Sequence, residues 1–269
     1  MAAQDYKFVI LCAGDYAPWK ETGVSKFFAE VDGKANILRT QAMLAGEGVP
    51  PGSVFFAVSD PEFLKAIPGA RAIDAGKTEI VCETINNVQA ALGGNMVFLL
   101  GDVIYSRACI LAVVDDDNDL RFFGRVGASR FTSKKWGEIF AVKCSARKWA
   151  DLSAALQKTI EFYRTSHADY GRLWTCYHYL TGTEPLQNRI TSKHFTQVDD
   201  LTDDFDSYKE YQRLLNRMRA YSGNASLGER VRDIFIPQAL WRWKRLRYSI
   251  KAKAGFPKDV PALIEDQAP

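Results

Sequence analysis

Two stretches of this chain leave no polar side chain to face water: Phe8-Val9-Ile10-Leu11-Cys12-Ala13, ending at Gly14, and Met96-Val97-Phe98-Leu99-Leu100, ending at Gly101. Such a run is shorter than an ordinary buried helix and does not alternate as a one-faced strand does, so each reads as a strand covered on both faces. Sheets covered on both faces are built from parallel strands joined by helical crossovers.

The sequence between the two runs supplies the crossovers. Residues 36–44 carry helical apolar spacing at Ile37, Leu38, Ala42 and Leu44, and the Gly46-Glu47-Gly48-Val49-Pro50-Pro51-Gly52 cluster stops them. A strand is expected at 53–58, then a helix start at Ser59-Asp60-Pro61-Glu62 with Asp60 as N-cap. A further helix is expected over 84–92, before Gly93-Gly94. Strand, helix, strand, helix, strand is a doubly wound pattern. Beyond it, residues 119–123 and 138–143 alternate as exposed edge strands do, which predicts antiparallel additions to the sheet. Long helices are expected at 147–165 and 207–221, and Ser222-Gly223-Asn224-Ala225-Ser226-Leu227-Gly228 breaks the composition. The expected fold is therefore α/β: a mostly parallel central sheet flanked by helices, with antiparallel additions, over residues 1–222. A basic helical extension follows at 223–269.

Composition closes off other classes. With 269 residues, 47% of them apolar, the chain has material for a substantial core. No apolar run approaches the ~20 residues of a membrane span. The first residues lack the features of a secretory signal, so the expected location is cytoplasmic. The five cysteines (Cys12, Cys82, Cys109, Cys144, Cys176) form no C-x-x-C pair and read as buried small residues, and His167, His178 and His194 lie too far apart to suggest zinc. A net charge of +3 marks no general nucleic-acid binder.

In an open α/β sheet, ligands bind outside the carboxyl ends of the strands. The first strand ends at Gly14 in a loop running to Lys26, a candidate phosphate loop or an ordinary connection with solvated lysines. The second ends in Gly101-Asp102, and a carboxylate there suits either Mg²⁺, which takes one or two carboxylates plus substrate oxygens, or a turn. Asp203-Asp204-Phe205-Asp206-Ser207 opens a helix and offers a second carboxylate, with N-capping as the competing role.

In order, Leu11-Cys12-Ala13-Gly14, Ser25-Lys26, Val31-Asp32-Gly33-Lys34, Leu99-Leu100-Gly101-Asp102 and Asp204-Phe205-Asp206-Ser207-Tyr208-Lys209-Glu210 resemble the motifs of the nucleotidyltransferases that join a nucleoside triphosphate to a sugar phosphate or small alcohol phosphate. The resemblance spans about residues 7–215. Trp136-Gly137-Glu138 and Asp169-Tyr170-Gly171-Arg172-Leu173-Trp174 look most like the phosphocholine and related cytidylyltransferases, which implies CTP or UTP as the triphosphate. The resemblance implies that Asp102 and Asp206 hold Mg²⁺ and that Lys26 contacts the triphosphate. It also implies that Leu11, Ala13, Gly14 and Gly101 line the nucleotide. Thr84 and Asn87, at a helix start, approach the nucleotide or cap the helix, and Glu138 and Arg172 are candidates for the phosphorylated acceptor. The family's second loop glycine and its arginine fall on Tyr16 and Pro18, so Lys20 is the candidate replacement charge. Because these departures touch the phosphate loop, two alternatives stand beside the leading reading. One is a glycosyltransferase using a nucleotide sugar, and the other a non-catalytic nucleotide-binding module.

Between residues 230 and 253 lie eight cations (Arg230, Arg232, Arg242, Lys244, Arg245, Arg247, Lys251, Lys253) and one carboxylate, Asp233. Ile236, Leu240, Trp243, Leu246 and Ile250 recur at helical spacing, with Trp241 and Tyr248 beside them. Such a helix suits an anionic membrane surface or an acidic partner, or it packs on its own domain or a twin subunit in a homodimer.

Overall fold

The computed structural model describes residues 5–14, 19–60, 63, 67, 69–129, 131–132, 134, 137–166, 172–183, 194–223, 225–236, 238–239 and 242–243. In chain order it begins with β1 (Tyr6–Leu11), the hairpin β2 (Glu30–Val31) and β3 (Lys34–Ala35), α1 (Asn36–Gly46), β4 (Val54–Val58), β5 (Ala72–Asp74) and α2 (Val81–Leu92). It continues with β6 (Asn95–Leu100), β7 (Val103–Ile104), α3 (Arg107–Asp115), β8 (Leu120–Arg125), β9 (Glu138–Cys144), α4 (Trp149–Ser166) and α5 (Leu173–Thr181). The last elements are β10 (Phe195–Gln197), β11 (Asp203–Asp204), α6 (Tyr208–Tyr221) and α7 (Leu227–Arg230), followed by a π-helical turn at Val231–Phe235.

One seven-stranded sheet has the order β10-β8-β9-β6-β1-β4-β5. The two apolar runs lie side by side at its centre, paired in parallel from Tyr6↔Asn95 to Leu11↔Leu100. Alternation along each strand splits the core into two layers. Phe8, Ile10, Val97 and Leu99 pack with Ile37, Leu44, Ile110 and Val113 of α1 and α3. Val9, Leu11, Met96 and Phe98 pack with Ile85, Val88, Leu152, Leu156 and Cys176 of α2, α4 and α5. This is the mostly parallel α/β architecture expected, and all five cysteines are buried thiols.

The structure corrects the expectation at β8 and β9. Both are buried along nearly their whole length, and β9 lies inside the sheet, antiparallel to β6 on one side and to β8 on the other. Their alternating Arg121 and Lys143 are paired across the ladder, where water-facing positions would be expected. Asp116 answers both cations: its carboxylate lies 3.4 Å from Arg121, and its carbonyl accepts from Lys143 Nζ. Burial pushes the Lys143 pKa down. The alternation was real, but an acidic loop replaced water as its polar partner. Two other boundaries move: α2 starts at Val81, ahead of Thr84, and Asp203-Asp204 form a short strand rather than opening a helix. The helix expected from Asp60 falls mainly on residues outside those described.

Gly101 is the tightest point between the two central strands. It donates to the Leu11 carbonyl at 2.9 Å, and a Cβ there would lie 2.5 Å from that oxygen and 3.0 Å from the Phe27 ring. Gly101→Ala must therefore separate β1 from the β6 end, at an expected cost of about 1–3 kcal/mol in urea unfolding.

The break at 222–228 holds Ser226, whose capping box with Glu229 starts α7. The first turns of the extension lie against α6: Ile234 is buried, and Gln238 donates to the Tyr221 hydroxyl at 2.9 Å. Among the described residues, no helix is long and apolar enough to cross a membrane.

Candidate active site

Because β1 and β6 end in register at Leu11↔Leu100, Gly14 and Asp102 leave the sheet at the same carboxyl edge. Gly14 turns away at φ +130°, a conformation that favours glycine. A cavity of about 190 Å³ opens there, lined by Leu11, Ala13, Gly14, Lys26, Phe27, Leu100 and Asp102, with Thr78 to Ile80 before α2 and Val81 and Thr84 in its first turn closing it. A larger cleft of about 470 Å³ lies by Leu120, Lys148, Asp151 and His194, at the opposite, amino edge of β8. It is remote from the strand ends that gather the candidate residues.

Lys26 Nζ lies 2.6 Å from Asp102 Oδ2, with each side chain 22% exposed. Burial alone would lower the lysine pKa. The Asp102 carboxylate, with Asp206 and Asp204 beyond it, raises it instead, so the ammonium is held charged. β11 explains how Asp206, 104 positions downstream of Asp102, reaches this lysine. β11 pairs antiparallel with β7, Asp204 opposite Val103, and Phe205 N donates to the Asp102 carbonyl at 3.1 Å. That register places Phe205 opposite Asp102 and brings Asp206, the next residue, within electrostatic reach of Lys26. Asp206 does not cap α6, because the cap is Ser207, whose hydroxyl accepts from Glu210 N at 3.3 Å.

Three supports of this arrangement were not read from the sequence. Asn36, fully buried at the start of α1, donates its amide to the Gly101 and Val103 carbonyls at 3.1 and 2.9 Å, pinning the turn that carries Asp102. Asp203 is locked by buried Arg125 at 3.1 Å and by the Thr132 hydroxyl, which fixes β11. Trp19 packs on Phe205, Tyr208 and Tyr211 with ring centroids 5.3–5.8 Å apart, tying the loop that leads to Lys26 onto α6. An asparagine directly after a Val-Asp-Gly-Lys hairpin was the one available signal. Asp32 and Gly33 hold φ of 54° and 76°, as a two-residue turn with both φ values positive requires.

A second group of charges adjoins the first. Glu138 begins β9, and the Leu99↔Ala141 register brings it to the same edge as Asp102. Burial raises its pKa to about 7 against the opposing pull of Lys134 and Arg172. Burial, with Glu138 and Asp203 nearby, raises Asp204 to about 8. Lys134 lies 3.1 Å from Asp204 and 3.2 Å from Glu210. Glu138 and Arg172 thus lie within electrostatic reach of each other, Arg172 exposed at the N-cap of α5.

A pH dependence follows. A carboxyl whose pKa rises from 4.5 to about 7 on folding stabilises the fold fully below the lower value and loses that contribution as pH climbs through the upper one. Glu138→Gln stays neutral, so its urea midpoint is expected to decline less between pH 4.5 and 7. At higher pH it should exceed the parent by on the order of 1–3 kcal/mol.

The other expected residues fall as follows. Thr84 is buried and lines the cavity, and its hydroxyl lies 2.8 Å from that of Thr78. It does not cap α2, whose N-cap is Ile80. Asn87 is outside the cavity lining and donates to the Ala75 carbonyl at 2.8 Å. Lys20 is exposed in the turn after Trp19, also away from the lining. Tyr16, Pro18, Trp136 and residues 169–171 lie outside the described residues.

The donor set fits Mg²⁺. Among the described residues no cluster of three or more metal-ligating side chains occurs. A two-carboxylate set beside a polar cavity is what Mg²⁺ uses when substrate oxygens and water complete its shell. Asp102 and Asp206 both act on the Lys26 ammonium; Asp102 lines the cavity, and Asp206 is exposed to solvent outside the lining.

No protein-family model matches the sequence, and no curated protein matches it. Solved structures do match in fold. A Bacillus anthracis protein assigned as a glucose-1-phosphate thymidylyltransferase superposes with a TM-score of 0.51 at 12% identity, over 78% of this chain and 94% of that one. The CTP:phosphocholine cytidylyltransferase of Streptococcus pneumoniae superposes with a TM-score of 0.50 at 11% identity, over 80% and 99%. The chain has the nucleotidyltransferase fold.

Proposed function

We propose that the protein transfers a nucleotidyl group from a nucleoside triphosphate to a phosphorylated sugar or small alcohol, releasing pyrophosphate. The observation that carries this reading is the Lys26–Asp102 pair at the mouth of a cavity lined by Leu11, Ala13, Gly14 and Thr84, with Asp206 acting on the same lysine. A phosphate oxygen of the acceptor attacks the α-phosphorus, a new P–O bond forms, and the bond to the bridging oxygen breaks with its electrons leaving on pyrophosphate. Both reactants are anions, so the work is alignment and charge neutralisation more than proton transfer. Lys26, held charged, offsets the negative charge that grows on the leaving phosphates. The strand-end loop at Ala13 and Gly14 presents backbone to the nucleotide, and Thr84 borders it from α2. Asp102 and Asp206 would hold Mg²⁺, which would supply Lewis-acid neutralisation of phosphate charge. Glu138 and Arg172, at the same edge, face the acceptor side, and CTP or UTP is the favoured donor.

The test is pyrophosphate release across a panel of nucleoside triphosphates and phosphorylated acceptors, with and without Mg²⁺. The reading requires acceptor-dependent pyrophosphate. Turnover of nucleotide sugars alone would replace it with a glycosyltransferase, and binding without turnover would leave a nucleotide-binding module.

A further inference from the structure

We propose that the C-terminal segment beginning at Leu227 docks this protein onto an anionic lipid surface. Large apolar side chains stand in solvent along it: Leu227, Val231, Phe235 and Ile236 are 77, 42, 55 and 50% exposed. The described residues contain six large apolar side chains this exposed, and all but Val24 belong to this segment. Leu227, Val231 and Phe235 recur every four residues and so share one side of the helix. Ile234, on the adjoining strip, is buried and Gln238 bonds Tyr221, so the segment rests on α6 along one edge while Leu227, Val231 and Phe235 stay open to solvent.

Charge decides the occupant. From Leu227 to Lys253 the sequence has eight cations and two carboxylates: Glu229, which caps α7 with Ser226, and Asp233, which Arg232 already holds at 2.5 Å. A second copy of the chain would set this charge against its like. A nucleic acid would meet the charge but offer nothing to bury four aliphatic and aromatic side chains. An anionic bilayer provides both, with phosphates at the surface and hydrocarbon beneath. α6 starts two residues after Asp206 and spans about 21 Å, so docking this segment leaves the sheet edge open.

The experiment is flotation of the full chain with vesicles of phosphatidylcholine alone and of phosphatidylcholine mixed with phosphatidylglycerol. Binding to the mixed vesicles should exceed binding to the neutral ones at least about tenfold and weaken with added salt. Val231→Glu combined with Phe235→Glu should lower it at least about tenfold at an unchanged melting temperature, since both positions are exposed. Lys244→Ser with Arg245→Ser should weaken it while leaving the apolar face intact. Equal binding to both vesicle types, binding to neither, or binding indifferent to these substitutions overturns the proposal. So does a concentration-dependent dimer that Phe235→Glu dissociates, or retention on nucleic acid or on an acidic protein with no vesicle binding.

Discussion

Lys26→Ala is expected to lower pyrophosphate-releasing turnover by about two to three orders of magnitude, the usual cost of deleting one preorganised group that meets charge developing in the transition state. Read from sequence alone, Lys26 is a loop lysine whose loss would leave stability untouched. The structure revises that expectation, because the ammonium is mostly covered and lies 2.6 Å from Asp102. Removing it strands a partly buried carboxylate among Asp204 and Asp206, so a stability loss on the order of 1 kcal/mol should accompany the activity loss. Lys26→Arg keeps the charge with different geometry and should recover the stability more than the turnover. Urea unfolding and pyrophosphate assays on both variants separate the roles. If activity falls only in proportion to the folded fraction, Lys26 is structural.

Asp102→Asn and Asp206→Asn are expected to raise the Mg²⁺ concentration needed for half-maximal turnover by about tenfold or more, because an amide is a poorer ligand for a hard cation. Their effects on folding should differ. Two bare carboxylates side by side would repel, and relieving that repulsion would favour Asp102→Asn, yet Lys26 stands against Asp102 and cancels the gain. Asp102→Asn is therefore expected to be neutral to mildly destabilising. Asp206→Asn should be thermally silent, because Ser207 caps α6 and Asp206 is exposed. Full activity of Asp206→Asn at unchanged Mg²⁺ demand would remove it from the metal site. Treatment with EDTA should abolish turnover of the parent chain, with Mg²⁺ restoring it.

The central strands were legible in the sequence because a strand buried on both faces can carry only apolar residues, and Phe8 to Leu11 and Met96 to Leu100 do so without interruption. Gly14 and Gly101 marked where those strands end, since a tight turn and a close backbone approach exclude side chains. Local signals misled where polarity had a tertiary partner. Lys143 looked solvent-facing but is buried under Asp116, and Thr84 looked like a cap but bonds Thr78 inside the helix. Asn36 showed only its place after the hairpin, and Trp19 and Asp203 carried no local signature, because their work is to hold distant backbone in place.

By itself the sequence determined which strands lie at the core, that one of them ends in Gly101-Asp102, and how basic the extension is; each is a property of residues near one another along the chain. Only the tertiary structure decided that Phe205 lies against Asp102 and that Asp206 acts on Lys26. That meeting depends on the antiparallel register of β11 on β7 and on the buried Arg125–Asp203 pair that locks it, and a contact such as Phe205 to Asp102, so distant along the chain, leaves no periodicity for a sequence to show.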